Sequence, residues 1–232
     1  MITLEAIEFI KTKPLVTSKD IAKKFGITNS YATIFLERIA RKGLVERIEK
    51  GKYTCTDDAI VVANYLVLPS YISFFTAASI KGYTEQIPRK IQIATTIYKK
   101  PINFRSYEIE FVRLPNWCFF GYSKEKRNNF TIFLVDDEKL IIDILLKPKT
   151  VGNFEEIVEI IKNTKIDESK MVEFVKRIKN VSLLKRLGYL LEKYKSIDIS
   201  SIVNIKDKNY VSLDPLKKSG KFVDGKWRVK YD

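Results

Sequence analysis

Histidine is absent from this chain of 232 residues, and cysteine and glutamine each occur only twice. The missing imidazole removes the commonest general base, the commonest activator of a serine or cysteine nucleophile and the commonest metal ligand. Ordinary hydrolase chemistry is therefore not expected, and no catalytic residue, cofactor or metal site is assigned. Cys55 and Cys118 lie far apart in separate predicted strands, a spacing that fits neither a zinc cluster nor a disulfide framework. Two buried, free thiols are expected. No apolar run approaches the roughly 18 residues that span a bilayer. The N-terminus reads as a helix carrying acids rather than a basic signal region, so a cytoplasmic protein without a membrane partner is expected.

What is present is positive charge. Lys and Arg number 42 against 28 Asp and Glu, giving a net charge of +14 and a pI near 9.5, which implies attraction to a polyanion. No basic low-complexity tail holds this charge, so folded surfaces must. Residues 1–56 carry 11 basic and 6 acidic groups, and the remaining residues are net +9, so charge is denser at the N-terminus but not confined to it. A hydrophobic content of 45% is enough to bury the cores of two domains at this length.

The densest pattern is Thr17–Thr54, which reads as a winged helix-turn-helix. Ser18 is expected to cap a helix striped by Ile21, Ala22 and Phe25, and Gly26 to end it where the turn needs a positive φ. Ile27 fills the corner. A second helix over 29–42 buries Ala32, Phe35, Leu36 and Ile39 at 3.6-residue period and turns Ser30, Thr33, Ile34, Glu37 and Arg41 outward or to its flanks. Residues 44–48 and 53–55 then form the strands of a wing, joined through Glu49-Lys50-Gly51-Lys52. With Ser18, the cations Lys19, Arg38, Arg41, Lys42, Lys50 and Lys52 are placed to contact phosphates around a polar patch of Asn29, Ser30, Tyr31 and Thr33, the base-edge candidates. The partner implied is double-stranded DNA. The competing reading is a protein-docking winged helix whose basic residues are solvated.

Before this motif, a helix over 4–11 presents Leu4, Ile7 and Ile10 inward; after it, Asp57 and Asp58 cap an apolar helix that runs towards Pro69. The expected organisation is a winged helix-turn-helix DNA-binding domain at 1–57, a linking helix at 58–69 and an α+β domain at 70–232. Within the last, the pattern predicts a helix over 72–81 stopped by Gly82. Strands follow over 91–96, 107–114, 117–122 and 130–135, then helices over 136–146, 154–162, 168–179 and 182–195. One or two late strands, at 210–213 and 226–230, return to the sheet. The fold class expected is α+β.

Two further clusters carry alternatives. If Leu184, Leu187, Leu190 and Leu191 bury the helix 182–195, then Lys185, Tyr189 and Lys193 share an outer stripe, with Arg186 beside it. Such a stripe suits a phosphate backbone or RNA, and equally a solvated face. Gly188 points to close packing rather than chemistry. Asp136, Asp137, Glu138 and Lys139 could be read as a nuclease metal site; acids at a helix N-terminus are more simply caps and dipole partners.

Three pieces of the second domain together resemble the AbiEi family, the antitoxins of type IV toxin-antitoxin systems: YISFFTAASIKGYTEQIP with IQIATT, KRLGYLLEKY at 185–194, and SLDP with Lys226-Trp227. That family also carries an N-terminal winged helix. The resemblance implies a repressor of its own operon, bound to an operator that is an inverted repeat. It also implies an antitoxin domain that counteracts a nucleotidyltransferase-like toxin without a stable complex, so that the Lys185–Lys193 stripe would belong to the antitoxin domain. The chain has no Gly-Ser followed by paired aspartates, so it is not the toxin. The alternatives are a stand-alone winged-helix transcription factor with a ligand- or protein-binding second domain, and a nuclease or RNA-processing subunit.

Overall fold

A computed structural model describes residues 2–203, 205, 207–217 and 220–232. Helices α1 (Ile2–Lys11), α2 (Ser18–Phe25) and α3 (Asn29–Arg41) are followed by a hairpin of β1 (Glu46–Glu49) and β2 (Lys52–Thr54). Ala6, Ile10, Val16, Ile21, Ala32, Phe35, Leu36, Ile39, Val45 and Tyr53 form their common core. A two-way backbone pairing of Val16 with Tyr53, at 2.9 and 3.0 Å, ties the hairpin to the segment before α2. On α1 the inner face is Ala6 and Ile10. Leu4, expected inside, is 71% exposed, because two residues before Ala6 it lies on the opposite side of the helix from that buried position.

The larger unit is built on a mixed six-stranded sheet in the order β5-β6-β4-β3-β8-β7. Its strands are β3 (Ser70–Ile72), β4 (Lys90–Thr95), β5 (Ile102–Phe104), β6 (Tyr107–Arg113), β7 (Tyr122–Arg127) and β8 (Phe130–Val135). Strands β4 and β6 run parallel through six residue pairs, while the outer pairs β5–β6 and β7–β8 are antiparallel hairpins. α4 (Ala59–Tyr65), capped by Asp58, buries Ala59, Val61, Val62 and Ala63 in the core of this unit. The remaining helices are α5 (Phe74–Ile80), α6 (Asp137–Leu146), α7 (Phe154–Asn163), α8 (Glu168–Val175) and α9 (Val181–Lys195). α6 is the central one: every residue from Glu138 to Leu145 is buried, with α5, α7, α8 and α9 packed around it. The molecule is therefore α+β, and none of the described helices is long and apolar enough to cross a membrane.

Three expectations are corrected. The helix expected over 72–81 begins two residues later, at Phe74 with φ +57°, because Ser70–Ile72 pairs with β4 and β8 as a strand. The strand expected at 117–122 is a short 3₁₀ turn, Asn116–Cys118. Gly121, at φ +69°, then redirects the chain into β7. A Cβ at that glycine would sit 2.9 Å from both Lys139 and Phe174. The late strands do not rejoin the main sheet either. β9 (Val211–Ser212), β10 (Phe222–Asp224) and β11 (Val229–Tyr231) form their own sheet, in the order β10-β11-β9, laid against α9. Of the thiols, Cys118 is buried and burial pushes it up to about 11, while Cys55 is only half-buried; both are free.

Candidate nucleic-acid interface

The local sequence fixes the angle between α2 and α3. Thr17, not Ser18, caps α2. The Thr17 hydroxyl oxygen accepts from the Asp20 N–H at 3.4 Å, and the Asp20 carboxylate accepts from the Thr17 N–H and hydroxyl, both at 2.7 Å. This reciprocal box needs an acceptor three residues after the cap; Ser18 would have had Ile21 there. Ser18 instead occupies the first helical position, half-buried. Gly26 closes α2 at φ +64°, and Thr28 caps α3 by accepting from the Tyr31 N–H at 3.3 Å. The residues buried on α3 are Ala32, Phe35, Leu36 and Ile39, as its period predicts.

That packing leaves one face of α3 open. Asn29, Ser30 and Tyr31 at its first turn are exposed, as is Ile34 in the middle. The Thr33 hydroxyl donates to the Asn29 carbonyl at 2.9 Å, which leaves its methyl as the part free for contact. Arg38, Arg41 and Lys42 are exposed towards the C-terminal end, the Arg38 guanidinium lying 5.5 Å from the Phe35 ring centroid. Lys19 is exposed on α2. Polar first-turn groups flanked by cations on one convex helix are the arrangement that reads base edges while neighbouring charges hold phosphates.

The wing differs from expectation in one residue. Lys50 is exposed at the two-residue tip with Gly51, whose φ is +80°. Lys52 is turned inward, pairing with Glu49 at 2.9 Å and donating to the Leu66 carbonyl at the end of α4, because that carbonyl and the Glu49 carboxylate lie beneath the hairpin. Exposed Arg47 on β1 and Lys23 and Lys24 on α2 add to the cationic rim. Their signal in the sequence is their polarity between buried positions of short elements.

The basic stripe expected on α9 reaches solvent only at Lys193, because β9, β11 and the segment leading into β9 cover the rest. Lys185 is fully buried, paired with Asp207 at 3.0 Å and bonded to the Asn209 carbonyl. Arg186 donates to the Ser212 carbonyl at 2.8 Å, and burial lowers its guanidinium from its ordinary value against the opposing field of Asp214. Tyr189 is buried with its ring 5.4 Å from that of Tyr231, and only Lys193 is exposed. Gly188 meets the Trp227 ring so closely that a Cβ there would overlap it.

The cluster at 136–139 is half-buried at Asp136 and Asp137 and buried at Glu138 and Lys139. Asp136 is the N-cap residue of α6, Asp137 pairs with Lys81 at 2.7 Å, and Glu138 accepts from the Asp167 N–H at 2.8 Å. Lys139 is fully buried against Asp143, which also accepts from Ser73 at 2.8 Å and Tyr71 at 3.0 Å. Burial raises the Asp143 carboxyl above its ordinary value, opposed by Lys139, and drives the Tyr71 hydroxyl well above its own. Among the described residues no group of three Cys, Asp or Glu could hold a metal ion.

A search among curated proteins returns no match. A solved structure, the crystal structure of the RV2827C protein from Mycobacterium tuberculosis, shares the fold. Its TM-score is 0.64 at 14% identity, over 94% of this chain and 86% of that one. Residues 5–55, which span α2, α3 and the wing, match the family model described as "Transcriptional regulator, AbiEi antitoxin", so this N-terminal region is similar to that family.

Proposed function

We propose that the protein is a DNA-binding repressor that acts as the antitoxin of a type IV toxin-antitoxin system. In this reading it autoregulates its operon through an inverted-repeat operator and counteracts a nucleotidyltransferase-like toxin. The observation that carries it is the exposed face of α3, with Asn29, Ser30, Tyr31 and the Thr33 methyl at its N-terminal turns and Arg38, Arg41 and Lys42 beyond them. The family match over this same region supports the regulator role. The winged helix brings DNA, and the larger unit brings the antitoxin activity without catalysis of its own. The use of Asp136–Lys139 in ion pairs and in a hydrogen bond from the Asp167 N–H supports that reading.

Fluorescence anisotropy with a labelled duplex from the region upstream of the gene tests the DNA half. Replacing Arg41 by Ala is expected to weaken binding on all sequences and to lower the salt slope by about one. Asn29→Ala is expected to cost on the order of 1–3 kcal/mol on the operator alone. Equal affinity of wild type and both variants would refute the interface. For the antitoxin half, the neighbouring gene product is induced with and without this protein. Failure of the full chain to restore growth against a toxic neighbour removes that role.

A further inference from the structure

The wing strand carries two carboxylates where a duplex-facing hairpin wants none. Glu46 and Glu49 both lie on β1, and Glu49 immediately precedes the Lys50–Gly51 tip. Phosphate repulsion from these two acids would work against the cations of α3 and the tip. Both are answered from the larger unit. Lys99 Nζ lies 2.6 Å from the Glu49 carboxylate, and Arg105 Nη2 lies 3.2 Å from that of Glu46. Burial alone would raise the Glu49 carboxyl, but Lys99 and Lys52 outweigh it and bring it below its ordinary value.

The two cations are themselves fixed. Lys99 sits 5.5 Å from the Phe111 ring centroid, and Arg105 the same distance from that of Phe104, at the turn between β5 and β6. Between the two acids, Ile48 packs against the core of the larger unit. The hairpin is thus held by Lys99 and Arg105 beside β5, by Ile48 against the core of the larger unit and by Lys52 at the end of α4.

We propose that Lys99 and Arg105 are positioning residues of the duplex-binding surface: the larger unit neutralises the wing strand and holds its tip, so that the surface presented to DNA is assembled by both units. This rests on the DNA-binding reading above. The phosphate backbone meets a cationic edge only when both ion pairs are formed, although neither cation needs to touch DNA.

The test uses the full chain and the same upstream duplex at low and moderate salt. Lys99→Ala is expected to weaken binding about three- to tenfold, because Glu49 then keeps only Lys52 as its partner and the strand regains negative charge that salt screens. The double variant Lys99→Ala with Glu49→Gln removes the acid along with its partner and is expected to return affinity to within about twofold of wild type. Its thermal melt checks folding. A double variant as weak as Lys99→Ala overturns the proposal, because the lysine would then be acting on phosphate directly. Wild-type affinity in Lys99→Ala overturns it as well. If Arg38→Ala with Arg41→Ala still loses affinity in that case, the DNA-binding reading stands alone; if that variant also binds normally, both fall.

Discussion

Replacing Lys139 by Met exposes the logic of the buried centre of the larger unit. Lys139 and Asp143 are both fully buried on α6, and Tyr71 and Ser73 satisfy the remaining carboxylate positions. Met fills much of the lysine stem's volume, so the principal loss is charge rather than packing. Asp143 is left as a lone buried carboxylate, and the cheaper response is to take up a proton. Protonating a carboxyl of ordinary value 3.8 at pH 7 costs about 4 kcal/mol, at about 1.4 kcal/mol per pH unit. That agrees with the roughly 3–5 kcal/mol found when one partner of a buried pair is removed. The sign with pH follows. The variant's folded state holds a proton that its unfolded state lacks near neutrality, so its stability falls as pH rises and recovers as pH is lowered towards the unfolded carboxyl value. Urea unfolding of both proteins at pH 5, 6 and 7 measures this. The stability gap should shrink by about 1.4 kcal/mol for each unit of pH lowered. A gap that is constant with pH, or below about 1 kcal/mol at pH 7, would refute the assignment of an ionised buried pair.

Three further outcomes are expected. Gly188→Ala should destabilise the protein by about 1–3 kcal/mol, because the added Cβ overlaps the Trp227 ring; helix propensity alone predicts a gain of about 1 kcal/mol, so a more stable variant in thermal melts would disprove the overlap. Docking of the C-terminal sheet should be acid-sensitive. Lys226 and a turn at Ser200 hold Asp198 down to about 2, the Asn209 N–H and Lys185 lower Asp207, and Lys226 with Trp227 lowers Glu192. Depressed carboxylates stabilise the fold above their ordinary values and lose that contribution as pH falls from about 4 to about 2. Trp227 fluorescence in a Trp117→Phe background should follow this, and Lys226→Met should move the transition upward; an unmoved midpoint would contradict the ion-pair origin. Finally, Thr17→Ala should cost about 1 kcal/mol through loss of the capping box, and Ser18→Ala under about 0.5 kcal/mol, both read by urea unfolding; the reverse order would return the cap to Ser18.

Periodicity carried most of what could be read in advance. The four buried positions of α3, the strands β4 and β8 and the helices from α6 to α9 all follow patterns long enough to distinguish period 3.6 from period 2. The failures are short or lack such a pattern. β3 is three residues long and buried on every side, so its apolar run merges with that of α5. β7 is an edge strand reading Tyr-Ser-Lys-Glu-Lys-Arg, whose middle four residues are exposed, and no alternation marks it. The cap moved by one residue because the choice between Thr17 and Ser18 is made by Asp20, a partner three positions away, rather than by either hydroxyl.

Charge was the least legible feature of the site, for a physical reason. A sequence counts cations, whereas their availability depends on which carboxylate or carbonyl lies near each of them in space. Lys50 and Lys52 flank the same glycine and look equivalent, yet Lys50 is exposed while Lys52 holds Glu49 and the end of α4. Lys185 matches Lys193 in helical phase, yet only Lys193 is exposed, because the segment leading into β9 brings Asp207 and Asn209 over the other. Lys99 and Arg105 lie in a stretch without any motif, but the folded chain sets them against acids 50 and 59 residues earlier. Within the N-terminal unit the cations that stay exposed thus include those of α3, of α2 and of the wing tip, while Lys99 and Arg105 of the larger unit pair with the acids of β1 beside them.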